Sequence, residues 1–207
     1  MKLAVFGATG PLGTQIIKQA LDEGHTVTAF ARNPSSLAIQ HSQLITVQGD
    51  VFDQASVDKA VKGQEAVLCS LGSQPNVKEP VVSEGTKHII AAMEKYSVKR
   101  LICVTAMGTG ESYPEASLMS KFGSRTFLKG LYEDKAKQET AVKSSQLDWI
   151  IVRPSILTNA PKSDTYRVGE HLKLGFLARS ARADVADFIL KQLTSTTYVR
   201  KGVGIVS

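Results

Sequence analysis

The chain has 207 residues, of which 43% are hydrophobic and 21% charged, and it carries a formal charge of +6. That is enough apolar material for one sizeable core, and no uncharged apolar run approaches the roughly 18 residues that a membrane span needs. Its lysines and arginines are scattered among few aromatics, which argues against nucleic acid and for a surface that attracts phosphorylated or acidic small molecules. Strand residues follow Met1-Lys2 at once, which leaves no room for a secretory leader. Cys69 and Cys103 each sit in an apolar run, as small hydrophobes near the ends of neighbouring strands and not as a disulfide. A cytoplasmic, reducing setting is the expectation.

In chain order, Leu3 to Phe6 reads as a strand and ends in Gly7, Gly10 and Gly13. The apolar positions Ile16, Ile17, Ala20 and Leu21 then mark a helix. A strand, a glycine turn and a helix in succession place backbone N–H groups and the positive end of a helix dipole where a pyrophosphate can sit. Gly7 is expected to allow the turn, Gly10 to let phosphate approach the backbone, and Gly13 to let the helix lie close to the sheet. Pro11 suits the first helical turn. The spacing G-x-x-G-x-x-G departs from the commoner G-x-G-x-x-G, so the flanking strand and helix carry the argument.

Gly24 ends the helix, and His25 to Ala31 forms the second strand. An NAD site usually has an acid about 20 residues past the glycines to hold the ribose 2′-hydroxyl. Here Arg32 stands at that place, with Ser35 and Ser36 close behind. A guanidinium pairs with a 2′-phosphate that a carboxylate would repel, so the expected cofactor is NADPH.

Leu44 to Val47, Ala66 to Ser70, Arg100 to Thr105 and Asp148 to Val152 read as further strands. Between them lie helices marked by Val57, Ala60 and Val61 and by a long pattern from Val81 to Tyr96. Near-continuous apolar strands alternating with helices predict an α/β fold: a single-domain, Rossmann-like, doubly wound parallel sheet with helices on both faces. Asp184 is the expected cap of a helix from Val185 to Leu193, and Gly202 to Val206 is a last short strand. The segment 107–131 interrupts the alternation on the side where such sheets bind ligands. It is the expected substrate cover, with Met107, Lys121 and Arg125 facing the acceptor. The four histidines are far apart and show no metal-ligand spacing, and G-x-S-x-G is absent.

Several motifs fall in a recognisable order: Gly-Ala-Thr-Gly-Pro-Leu-Gly (7–13), Ala-Arg-Asn-Pro (31–34), Val-Gln-Gly-Asp-Val (47–51), Leu-Gly-Ser (71–73), Ser-Glu-Gly-Thr (83–86) and Leu-Asp-Trp-Ile-Ile-Val-Arg-Pro (147–154). In these the chain resembles the atypical short-chain dehydrogenase/reductases, and among them the NADPH-dependent flavin reductase and biliverdin-IXβ reductase type. The resemblance implies that Thr9, Gly10, Pro11 and Leu12 surround the pyrophosphate and Arg32 the 2′-phosphate. It implies that Asp50 and Val51 border adenine, Leu71 and Gly72 follow the ribose, and Thr105 and Ala106 face nicotinamide. Pro154 and Ser155 would approach the carboxamide.

The departures bear on mechanism. No tyrosine has a lysine four residues on; Lys135 fits the family's helix, but Leu131 stands four positions before it. Where the flavin and bilin reductases lead us to expect a serine and a histidine, the chain has Ala106 and Ser155. Thr105, Lys135 and Ser155 remain as candidate catalytic groups. Lys135 is open to three roles: orienting ribose, relaying a proton, or simple solvation. Acceptors that take their proton from water, such as flavins, quinones or bilins, suit such a site, with Lys121, Arg125 or Arg167 as counter-charge. The expectation is a monomer or weak homodimer that reduces a flavin or linear tetrapyrrole. An NADP(H)-binding redox sensor and an epimerase or dehydratase of the same superfamily are the alternatives.

Overall fold

The computed structural model describes residues 1–72, 80–110, 112, 129–163, 165–172 and 178–207. Its main sheet starts from β1 (Lys2–Phe6), flanked by β2 (Thr26–Ala31) and β3 (Leu44–Gln48) on one side. On the other side follow β4 (Ala66–Cys69), β5 (Arg100–Val104), β6 (Asp148–Pro154) and β10 (Lys201–Val206). These seven strands are parallel. The eighth, β8 (Arg167–Gly169), closes the edge antiparallel to β10. A separate pair, β7 (Ile156–Thr158) and β9 (Arg179–Ala181), lies beyond the end of β6. Both the antiparallel edge and the small pair are absent from the sequence-based expectation. Strands of three residues are too short to leave a period-2 signal.

Alternate residues of each central strand feed two cores. Leu3, Val5, Ala66, Leu68, Ile102 and Ile150 pack with α1 (Pro11–Asp22) and α5 (Arg182–Lys191). Ala4, Phe6, Val67, Leu101, Trp149 and Ile151 pack with α2 (Gln54–Val61), α3 (Val81–Lys95) and α4 (Lys129–Ser144). With both faces covered, every strand residue gains from being apolar, which explains the unbroken runs. Cys69 and Cys103 are register partners on β4 and β5, buried and unbridged, as the apolar context predicts.

Asp184 does not cap α5. The cap position is Ala181, and Asp184 lies inside the first turn, where its carboxylate accepts from Ser163 N at 2.8 Å and Ser163 Oγ at 2.7 Å. It ties the loop after β7 to the helix.

Candidate functional site

Where β1 hands over to α1, Gly7 turns with φ +79°, and a Cβ there would come within 2.4 Å of the Ser70 carbonyl. A Cβ on Gly13 would lie 2.1 Å from the Gly7 carbonyl, so Gly13 serves the turn itself more than the contact between helix and sheet. Gly10 differs, because its Cβ would meet only that carbonyl, at 3.2 Å. Gly10 is also the N-cap of α1 and offers no side-chain cap, and the helix's first turn carries no acid. Its leading amides therefore face outward with a positive dipole end behind them, as an anion requires.

These residues form one end of a cavity of about 800 Å³ along the carboxyl edge of the sheet. Gly7, Thr9, Gly10, Pro11, Leu12, Gly13, Arg32, Asp50, Val51, Leu71, Gly72, Thr105, Ala106, Lys135, Pro154 and Ser155 all line it. Sequence reasoning had selected each of them, across seven separate stretches of chain. Arg32 is exposed on the lip and has no acidic partner among the described residues. The carboxylate of Asp50 accepts from Phe52 N at 3.0 Å, which shapes the turn after β3.

Other expected residues lie elsewhere. Ser35 does not line the cavity; its hydroxyl donates to Asn33 Oδ1 at 2.6 Å, while Ser36 donates to the Asn33 carbonyl. Met107 is 2% exposed and is packed where a Cβ on Gly204 would be 2.4 Å from its Cε, so it fills core instead of facing an acceptor. Arg167 sits on edge strand β8 opposite Val206, outside the cavity lining. Lys121 and Arg125 fall outside the described residues.

Lys135 is only 9% exposed and lines the cavity with no hydrogen-bond or ion-pair partner among the described residues. Burial pulls its ammonium below the ordinary lysine range, against the opposing pull of Cys103, Cys69, Asp134 and Glu139. Its neighbour Asp134 fixes it in place, accepting from the Val82 and Ser83 amides at 3.0 Å each and so capping α3 from α4.

Sequence reasoning missed the group behind Thr105. Glu139 receives Arg153 in a fork, at 2.9 Å from Nε and 2.7 Å from Nη2, and also the Thr105 hydroxyl at 2.8 Å. All three are buried. The signal was present as a polar stripe: Lys135, Gln138, Glu139 and Val142 share one buried helix face, but three of the four are polar, so no apolar pattern marks the face as buried. Arg182 was also missed. It opens α5, lines the cavity and donates to Asn159 Oδ1 at 2.7 Å.

Residues 7–196 match the family model described as NAD(P)H-binding. The photosystem II assembly factor Ycf39 of Synechocystis sp. is 26% identical over 211 residues, covering 100% of this chain and 62% of that protein. The chain spans about half to three fifths of the length of the first curated relatives it matches. A short-chain dehydrogenase/reductase from Veillonella parvula, solved in complex with NADP, superposes with TM-score 0.86 at 18% identity over 100% of this chain and 94% of that one. ChuY from Escherichia coli O157:H7, an anaerobilin reductase, gives TM-score 0.85 at 22% identity over 100% and 97%. At those identities the two structures establish the Rossmann-like fold. The chain belongs to the NAD(P)H-binding family whose model it matches over most of its length.

Proposed function

We propose that this chain is an NADPH-dependent reductase that passes hydride to a flavin or linear tetrapyrrole. The observation that carries the reading is one cavity lined by the uncapped start of α1, an exposed Arg32 with no acidic partner among the described residues and a buried Lys135. The α1 amides would hold the diphosphate, and Arg32 the 2′-phosphate that distinguishes NADPH from NADH. Bound NADPH supplies the hydride; the protein's task is to hold the acceptor against it and exclude competing chemistry. The NADP complex of the Veillonella protein and the bilin chemistry of ChuY support this choice of cofactor and acceptor class.

The proton side also favours such acceptors. Leu131, four residues before Lys135, lines the cavity and has no proton to give. The Thr105 hydroxyl donates backward to Glu139, and Lys135 is a buried donor lining the same cavity. Flavins and bilins take their proton from solvent and do not need a tyrosine acid. The same Leu131 favours, as a second reading, an NADP(H)-binding regulator without turnover. NADPH oxidation followed with FMN and with biliverdin separates the two. Turnover with either acceptor supports the reductase; NADPH binding with no oxidation by either supports the regulator.

A further inference from the structure

We infer that Thr105 and Ser155 offer lone pairs and not protons to the cavity, so that its β5–β6 wall reads N–H groups on the bound ligand. The inference rests on the reading of the cavity as an NADPH and acceptor site.

Thr105 has one hydroxyl proton, and Glu139 Oε1 receives it at 2.8 Å. Both oxygens of Glu139 already face Arg153, which donates and never accepts, so the carboxylate takes protons from both neighbours. Arg153 is held in turn: a Cβ on Gly202 of β10 would come within 2.7 Å of its guanidinium, so only glycine leaves it room. The wall behind Ser155 is built the same way. Ser180 Oγ donates to the Ile205 carbonyl at 2.8 Å; a carbonyl only accepts, so that contact takes Ser180's single proton. The 2.8 Å bond between the Ser155 and Ser180 hydroxyls must then carry the Ser155 proton, and Ser155 N points at the same oxygen at 3.1 Å. Two hydroxyls just past the ends of adjacent strands thus turn their protons into the protein and their lone pairs into the cavity. Glu139 and Ser180 are positioning residues that enforce this.

A ligand group that fits must donate. The carboxamide of nicotinamide and the ring N–H of a flavin both qualify, so two pairs of probes distinguish the sources. NADPH is compared with its reduced 3-acetylpyridine analogue, in which a methyl replaces the amide nitrogen. Riboflavin is compared with 3-methylriboflavin on the cofactor-loaded protein. We expect the wild-type chain to prefer the N–H member of at least one pair by about tenfold, the scale of one buried hydrogen bond. Thr105→Val and Ser155→Ala should bring that ratio toward one by weakening the N–H member alone, and Thr105→Ser should restore it. Ser180→Ala, which frees the Ser155 proton, should also lower the ratio. Ratios near one for both pairs in the wild type, or a ratio unchanged by both Thr105→Val and Ser155→Ala, would overturn the inference while leaving the cofactor reading intact. Binding of no probe at all would overturn both.

Discussion

At the residue scale the glycines of the first turn have separable duties. Gly13→Ala drives a Cβ into the Gly7 carbonyl at 2.1 Å, with backbone on both sides, and should give a chain that is largely insoluble or melts far below wild type. Gly10→Ala faces only the 3.2 Å approach at a φ of −72°, so it should fold with little change in melting temperature yet lose cofactor affinity. Thermal melts with and without NADPH check both; equal damage to folding would refute the division. If Arg32 holds the 2′-phosphate as proposed, Arg32→Ala removes a charge-assisted pair worth about 1.5–3 kcal/mol, so NADPH affinity should fall about ten- to a hundredfold while NADH affinity holds. Equal loss for both nucleotides would assign Arg32 to something other than the 2′-phosphate. These residues were legible because backbone chemistry demanded them. Glu139 and Ser180 were not, since their meaning lies in partners 34 and 25 residues away.

At the element scale the sheet could be read from sequence because each central strand is covered on both faces. In the terminal region only α5 and β10 left a readable pattern. There β7, β8 and β9 are three residues each, and polar contacts secure α5 beside its apolar face of Val185, Ala186, Phe188, Ile189 and Leu190. Asp187 of α5 is one such anchor: its carboxylate is met by Lys162 at 2.8 Å, Lys191 at 2.7 Å and the Tyr166 hydroxyl at 2.6 Å. Burial pushes its pKa up, but these three donors outweigh burial and bring it down to about 2. Because the folded value lies below the unfolded value of about 3.9, the stabilisation is complete above that pH and is lost as pH falls toward 2. Urea unfolding of wild type and Asp187→Asn should therefore differ at neutral pH and converge near pH 2. A constant gap would show that the charge is irrelevant. Asp134 is the matching anchor on the other face. Asp134→Ala leaves the start of α3 uncapped and should cost about 1–2 kcal/mol, measurable by the same unfolding.

At the scale of the whole molecule, one cavity is assembled from strand ends that are distant in sequence and adjacent in the sheet. A ligand lying along it touches the chain from Gly7 to Arg182, so binding should stabilise the fold as a unit. At one hundred times the dissociation constant the gain is about 2.7 kcal/mol, or a rise of about 5–10 °C in melting temperature for a chain of this size. The most direct test of the account is a calorimetric titration of the protein with NADPH, alongside NADH. We predict single-site binding of NADPH with NADH at least tenfold weaker. No heat with NADPH, or equal affinity for the two, would contradict the assignment of the glycine turn and Arg32.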